Sequence, residues 1–187
     1  MKTKLDAINQ MLSCIGQAPL NTLEGTQSYF TISALQILND MNESCQLEGW
    51  DFNTDEDYEL KPDDNNNIQI SNDFLSVKVA TVFKNRYTIR GKRIYDKHNH
   101  TFNIYEPIRA KVIFNIDFED LPQAAKNYIT IAAAYKFVKR ELGSKESAVY
   151  TQEDVMQARI TLMEYETDIG AYTMIPEMYD GTIQRSI

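Results

Sequence analysis

The chain has 187 residues, of which 43% are hydrophobic and 11% aromatic, and its formal net charge is -8. This length predicts one main core, and the apolar content is high enough to offset the entropy of ordering the chain. The negative charge excludes tight binding to phosphate backbones or anionic lipid as a main activity. No segment has the apolar length of a membrane span or a secretory signal, so we expect a protein that is made in the cytosol and binds no membrane.

Two amphipathic helices are predicted within residues 1–49. In the first helix, apolar residues recur at three- and four-residue spacing, namely Leu5, Ile8, Leu12 and Ile15. Gly16 follows at a position where a left-handed residue can end the helix. Thr26 or Ser28 can cap the second helix, which ends near Gly49. Its apolar positions are Tyr29, Ile32, Leu35, Leu38, Met41 and Cys45.

Residues 50–117 lack helical spacing, and polar residues alternate there with β-branched and aromatic ones. This pattern predicts a small antiparallel β lobe. The polar cluster 61–67 separates the first two strands, and Gly91 supplies the turn of a hairpin. The predicted strands are one that ends at Leu60, followed by 68–70, 75–83, 86–90, 93–95, 101–104 and 109–114.

A third helix is predicted from Pro122 to about Leu142, where Gly143 ends it. Proline is tolerated in the first turn of a helix, and the carboxylate of Asp120 is placed to accept hydrogen bonds from the first free amides. The small residues at 132–134 allow a neighbouring helix to approach this one closely.

A fourth helix begins at Thr151, whose spacing from Asp154 is that of a capping box. One apolar stripe on this helix consists of Val155, Ala158, Leu162 and Ile169. The stripe is widened by Met156, Ile160 and Met163. A stripe of that width indicates a helix that contacts two neighbours rather than one. After Gly170 we expect the chain to become a tail.

These elements together predict an α+β fold, in which a four-helix bundle carries a small antiparallel β lobe inserted between helices 2 and 3. The predicted divisions are 1–49 for helices 1 and 2, 50–117 for the lobe, 118–170 for helices 3 and 4, and 171–187 for the tail. The tail is apolar without a regular period, so we expect it to dock on its own domain or on a neighbouring subunit. The residues expected to bind a partner there are Tyr172, Met174, Ile175, Met178 and Tyr179.

Asp96, His98 and His100 are the strongest candidates for a metal site, because alternate residues of a strand share one face. The polar residues around them are also typical of an exposed hairpin loop, and no fourth ligand is indicated. We therefore favour the loop and predict neither a metal nor another cofactor. Cys14 and Cys45 lack the spacing of a zinc site, and we expect both to be small buried side chains.

Acidic residues cluster at 55–57 and at 117–120. Two carboxyl groups are the minimum equipment of a glycosidase, and a hydrolase would use Asp117 and Glu119 here. The first cluster is also typical of a solvated strand edge, and the second of a helix start, where acids interact favourably with the helix dipole. Because no spacing fixes two carboxyls across a cleft, we predict no catalytic residue.

Basic residues concentrate in one segment of the chain. They are Lys84, Arg86, Arg90, Lys92 and Arg93, interspersed with two tyrosines. Such a mixture occurs on nucleic-acid surfaces, but alternating strands divide these charges between two faces and the whole chain is acidic. We therefore expect Arg86, Arg90 and Arg93 to bind an acidic partner surface.

Three segments, in this order along the chain, resemble the tail tubular protein A family, the adaptor proteins of T7-like short-tailed bacteriophages. Residues 12–19 resemble the family's N-terminal helix with its Ile-Gly-x-x-Pro turn, and residues 48–54 resemble its Gly-Trp-x-Phe-Asn segment. Residues 118–122 resemble its Phe-x-x-Leu-Pro entry into a helix. Within that helix the matching residues are Tyr128, Ile129, Ala132 and Ala133.

The resemblance implies a structural protein of the virion tail and not an enzyme. It implies a dodecameric ring that lies beneath the portal protein and above the nozzle, tail tubular protein B, with a channel through which the genome leaves. The implied partners are the portal, the nozzle, further copies of the chain and also tail fibres, while DNA passes through the lumen without specific binding. A negative subunit repeated around a channel repels phosphates, which agrees with this role.

The sequence leaves two other functions open. One is a tail-associated hydrolase of peptidoglycan or polysaccharide that uses acids such as Asp117 and Glu119. The other is a small acidic module that binds and inhibits a factor of the host.

Overall fold

A computed structural model of the chain describes residues 2–25, 27–80, 86–143 and 149–173, with the backbone alone for 169–173. Within these ranges, four α-helices and two antiparallel sheets give the α+β class that the sequence predicted. Contacts between residues divide the chain into two units. The helical unit consists of 1–38 and 122–187, and the β unit consists of the continuous segment 39–121.

The helical unit contains α1 (Lys4–Ser13), the first part of α2 (Tyr29–Gln46), α3 (Gln123–Leu142) and α4 (Gln152–Thr173). α3 packs against both α1 and α4. The three alanines at 132–134 in α3 are buried, as expected where small side chains let neighbouring helices approach. A closed four-helix bundle stays a prediction. None of the helices in the described ranges is long and apolar enough to cross a membrane.

The end of α1 follows the predicted chemistry, and its start has a capping box that the sequence analysis did not predict. The Thr3 hydroxyl accepts a hydrogen bond from the Asp6 amide at 3.1 Å, and the Asp6 carboxylate accepts one from the Thr3 amide at 2.9 Å. At the other end Gly16 has φ +72°, and the Gln17 amide donates to the Leu12 carbonyl at 3.0 Å. This geometry confirms Gly16 as the left-handed residue that ends the segment.

The starts of α2 and α4 were also predicted. Ser28 caps α2, since its hydroxyl accepts a hydrogen bond from the Thr31 amide at 3.2 Å. Thr26, the alternative cap, lies outside the described residues. At α4 the Asp154 amide donates to the Thr151 hydroxyl at 3.2 Å, and the Thr151 amide donates to the Asp154 carboxylate at 2.7 Å. The predicted capping box is therefore present.

The predicted cap of α3 is wrong. Pro122 is the N-cap residue of the helix and makes no side-chain cap hydrogen bond. Asp120 lies instead in a short 3-10 helix, Phe118–Asp120, where its amide donates to the Asp117 carbonyl at 2.9 Å. α4 also continues past Gly170 to Thr173, because a single glycine inside a helix costs only about 1 kcal/mol.

The β unit contains a three-stranded antiparallel sheet and a two-stranded hairpin. The sheet has the order β1 (Thr54–Leu60), β5 (Ile108–Phe114), β2 (Phe74–Val79), so β5 pairs with both neighbours. The hairpin joins β3 (Tyr87–Arg90) to β4 (Arg93–Asp96). The core of the unit includes alternate residues of β5, and the rings of Tyr58, Phe74 and Phe114 meet edge to face with centroids 5.2 to 5.6 Å apart. Its other fully buried members are Leu60, Ile68, Ile94 and Ile104.

Two predicted strands, 68–70 and 101–104, are wrong. Residues 68–70 lie beside β4 but form a single bridge, between Gln69 and Arg93. In 101–104 only Thr101 bridges to another residue, and its partner Asp96 lies across a tight turn. Both segments place an isoleucine in the core of the β unit, so their alternation of apolar and polar residues reflects burial without a continuous strand ladder.

Candidate interaction surface

The hairpin places the central basic residues on one face. Arg90 pairs directly with Arg93, so Gly91 and Lys92 form a two-residue turn with φ +56° and +62°. This confirms the predicted turn at Gly91. Because side chains alternate between the faces of a strand, Arg90, Arg93 and Tyr95 share one face, whereas Asp96 lies on the other.

Both arginines lie over aromatic rings. The Arg90 guanidinium carbon is 4.0 Å from the centroid of the Tyr95 ring, and that of Arg93 is 4.2 Å from the centroid of Phe102. The two rings contact each other with centroids 4.9 Å apart and planes at 66°. We call these four residues the arginine–aromatic face. Each guanidinium is held by a cation–π contact while the residue stays exposed to solvent.

Neither arginine of this face has an acidic partner among the described residues: no carboxylate there lies within ion-pair distance of Arg90 or Arg93. Between them, the Lys92 ammonium donates a hydrogen bond to the Asn72 side-chain oxygen. The arginine–aromatic face therefore presents two oriented guanidinium groups, and the adjoining turn adds the Lys92 ammonium group, within a chain whose net charge is -8.

Arg86 has a different role from Arg90 and Arg93. Its Nε and Nη2 atoms each lie 2.9 Å from the same carboxylate oxygen of Asp96, and its guanidinium carbon lies 5.0 Å from the centroid of the Tyr87 ring. The positive charge of Arg86 is thus paired with an acid of the β unit itself. Lys84 lies outside the described residues.

Asp96 is 2% exposed, and its carboxylate accepts hydrogen bonds from Arg86, His98 and Asn99. Burial raises its pKa, but hydrogen bonds from Arg86 and from the amides of Asn99 and His98 outweigh burial and hold the pKa at about 2. His98 and His100 are exposed beside it. No three side chains of His, Cys, Asp or Glu converge anywhere in the described ranges, so the metal site has no geometric support.

The acids considered for hydrolysis are on the surface. In β1, Asp57 lies 3.4 Å from Arg109 of β5, and Glu56 pairs with Lys111 of the same strand. Asp117 and Glu119 are exposed at the 3-10 helix before α3. A polar cleft of about 420 Å³ opens elsewhere in the β unit, lined by Asp96, Glu106 and their neighbours but by neither Asp117 nor Glu119.

Two helices carry exposed apolar side chains. On α4 the buried residues Ala158 and Leu162 belong to the core, as the predicted stripe requires. The residues that widen that stripe are exposed, with Met156 at 59%, Ile160 at 40% and Met163 at 51%. Their spacing of four and three residues places them on one face of the helix. On α2, Tyr29 and Ile32 are exposed, although both belong to the apolar pattern that predicted this helix.

Residues 48–54 stabilise the β unit. Gly49 has φ +80°, and a Cβ atom there would lie 2.9 Å from the Ile113 side chain. The Trp50 indole donates a hydrogen bond to the Cys45 carbonyl at 2.7 Å. Asn53 is buried, and its side-chain amide donates to two carbonyls, those of Gln46 at 3.0 Å and Phe114 at 2.9 Å.

Gln46 is a structural residue that the sequence did not single out. Its buried side chain accepts a hydrogen bond from the Ile116 amide at 2.7 Å and donates one to the Ile116 carbonyl at 2.8 Å. The end of α2 is thereby tied to the segment after β5, and both belong to the β unit. A glutamine in the last turn of a helix gives no signal of such a contact.

The remaining predictions concern the two cysteines and the C-terminal tail. Cys14 and Cys45 are buried thiols, as predicted, and burial raises the pKa of the Cys14 thiol. Tyr172 belongs to α4, but its side chain is not described. The other expected contact residues of the tail lie outside the described residues, namely Met174, Ile175, Met178 and Tyr179.

Known proteins match most of this chain. A family model described as tail tubular protein matches residues 5–172. A tail tubular protein A of Klebsiella phage KP34 is 23% identical over 163 residues, which cover 87% of this chain and 86% of that protein. The match spans both the helical unit and the β unit. The chain therefore belongs to the tail tubular protein family and is a structural protein of the bacteriophage virion tail.

Proposed function

We propose that the chain is an adaptor subunit, which forms a dodecameric ring between the portal and the nozzle of a short-tailed phage and guides the genome through its channel. The observation that carries this proposal is the family match over 5–172. Exposed contact surfaces in both units support it, because a subunit of a ring between two other proteins needs contacts with its own copies and with both neighbours.

The apolar side chains on α4 supply one such surface. Met156, Ile160 and Met163 lie exposed on one face of α4. A second protein that covers this face removes their apolar area from water, which favours association. In our proposal this face contacts an adjacent subunit. The contact is heterologous, because a ring of identical subunits joins one patch on each subunit to a different patch on the next.

The tail and the basic segment supply the remaining contacts in this proposal. The C-terminal residues from Tyr172 onward dock on a neighbouring subunit or on the portal, and Arg90 and Arg93 bind an acidic partner. Tail fibres are a further partner. The net charge of -8 favours passage of DNA without adhesion, since like charges around a channel repel the phosphates.

The proposal contains no catalytic step. The hydrolase alternative relies on Asp117 and Glu119, and both are exposed. A general acid for glycoside cleavage needs an enclosed site that keeps it protonated near neutral pH. Exposed carboxyls at a helix start provide no such enclosure, so the structural role is the better supported one.

Mass photometry tests the adaptor role directly. Purified full-length chain is mixed with the portal ring of the same phage, and then with its nozzle protein. We expect a defined complex of portal plus a ring of this chain, which gains mass again when the nozzle is added. Failure to bind either neighbour, together with absence of the chain from purified virions, would refute the proposal.

A further inference from the structure

We infer that the arginine–aromatic face recognises a protein segment bearing two neighbouring carboxylates, rather than nucleic acid or a glycan. The inference rests on the proposed function, since it names the chemistry of one contact that an adaptor makes. Three features of the face carry it: the cross-strand arginine pair, the use of its rings, and the small number of positive charges.

The arginine pair is built for two acceptors. Arg90 and Arg93 are directly opposite in the hairpin register, so their guanidinium groups project from one face of adjacent strands. Each is held over a ring, at 4.0 Å for Tyr95 and 4.2 Å for Phe102. A guanidinium held in this way keeps its N–H edges available, and it loses less freedom on binding a carboxylate than a mobile side chain does.

The rings are already occupied. Single-stranded nucleic acids are bound by stacking bases on open aromatic faces. Here Arg90 covers a face of Tyr95, Arg93 covers a face of Phe102, and the two rings also contact each other at 4.9 Å. On the side where the arginines lie, the rings are therefore covered and do not offer an open face to a stacked base or sugar.

The charge is also too small for a duplex. The face and its turn carry three cations, Arg90, Lys92 and Arg93, within a chain whose net charge is -8. Duplex binding gains affinity in proportion to the number of phosphates neutralised, and an acidic chain repels the rest of the duplex. Two carboxylates on a protein surface need only the local pair. Charge complementarity therefore selects an acidic protein segment.

Binding measurements on matched variants test the inference. We compare wild type, Arg90→Gln/Arg93→Gln and the control Lys78→Gln/Lys136→Gln, whose exposed lysines remove the same charge elsewhere. Against the purified portal and nozzle proteins, we expect the arginine variant to bind at least one of them about tenfold more weakly or worse. The control should bind like wild type. Urea unfolding followed by tryptophan fluorescence verifies that the arginine variant is folded.

Cross-linking then identifies the acidic segment. A carbodiimide joins the Lys92 amine to a carboxylate in contact with it, with loss of water, and mass spectrometry of cross-linked virions locates that acid. We expect it to stand beside a second Asp or Glu. Changing both acids to arginine should restore binding to an Arg90→Glu/Arg93→Glu chain, as a direct charge pair requires.

Two outcomes would overturn the inference. The first is equal binding of portal and nozzle by wild type and the Arg90→Gln/Arg93→Gln variant. The second is a variant that loses affinity for a 30-base-pair duplex or for capsular polysaccharide instead of protein. In either case wild-type chain still assembles with portal and nozzle, which separates failure of this inference from failure of the proposed function.

Discussion

Replacement of Asp96 by asparagine tests the hydrogen bonds that join the end of β4 to Arg86 and to the turn that follows β4. One carboxylate oxygen accepts hydrogen bonds from Arg86 at 2.9 Å and from the Asn99 side chain at 3.0 Å, and the other accepts the amides of His98 at 2.8 Å and Asn99 at 3.1 Å. An amide has only one oxygen, so its NH2 group must face donors on one side. Because Arg86 is half exposed and can be rehydrated, we expect a loss of about 2–3 kcal/mol, at the low end for a broken buried pair.

The chain has a built-in reporter for this measurement. Trp50 is the single tryptophan and belongs to the β unit, so its fluorescence follows unfolding of that unit in urea. We expect Asp96→Asn to lower the midpoint with an unchanged slope. Asp64→Asn is the matched control, since it removes the same charge from an exposed turn. A loss within about 0.5 kcal/mol of the control would contradict the reasoning.

The same pair of variants separates charge from shape through pH. A carboxyl whose pKa falls from 3.8 to about 2 on folding contributes about 2 kcal/mol, and solvent around Arg86 reduces this to about 1–2 kcal/mol. Because the folded pKa is the lower one, this contribution is present above pH 4 and is lost as pH falls from 4 to 2. Between these pH values wild type should lose more stability than Asp96→Asn. Parallel curves would refute the assignment.

Three further substitutions have defined outcomes. Gly49→Ala should cost the β unit about 1–2 kcal/mol in urea unfolding, because a left-handed residue gains a Cβ 2.9 Å from the Ile113 side chain. Asn53→Ala should cost about 2–3 kcal/mol by the same assay, since it strips two carbonyls of their donor. Ile160→Lys should change stability by under about 0.5 kcal/mol but abolish ring formation on the portal in mass photometry. Thr161→Lys adds the same charge at an exposed position that is not three or four residues from any of the three apolar residues, and this variant should assemble normally.

Helix ends were predictable because their signals are local. A hydroxyl and a carboxylate three residues apart can satisfy each other's amides whatever the rest of the chain does, as at Thr151 and Asp154. Gly16 likewise adopts a left-handed conformation that other residues disfavour. Asp120 failed as a cap because it is itself the last residue of a 3-10 helix, and a pattern of residue types does not reveal that extra turn before α3.

Strand prediction failed in two segments whose isoleucines are buried but whose backbone does not pair along its length. Residues 68–70 and 101–104 alternate in the manner of strands because Ile68 and Ile104 enter the core. A strand also needs a partner along its length, and each of these segments has only one bridging residue. Partners come from the global arrangement of the chain, so periodicity alone could not distinguish these segments from β2 or β5.

Only part of the arginine–aromatic face could be predicted from the sequence. The concentration of basic residues was clear, and the two-residue turn at Gly91 follows from local chemistry. The turn sets the register, and the register decides that Arg90 and Arg93 share a face. Phe102 lies beyond the turn that follows β4, and the pattern of residue types does not indicate that it contacts Arg93.

Family resemblance and partner contacts concern different residues of this chain. The segments 12–19, 48–54 and 118–122 carry the resemblance, and those with described roles act inside a unit: Gly16 ends a helix, and Asn53 binds two carbonyls. Arg90, Arg93 and Ile160 lie outside all three segments, on exposed surfaces. The matching segments with described roles therefore belong to the internal structure of the units. Since affinity for a neighbour depends on the side chains that reach it, the proposed adaptor selects its acidic and apolar partners through the hairpin and α4.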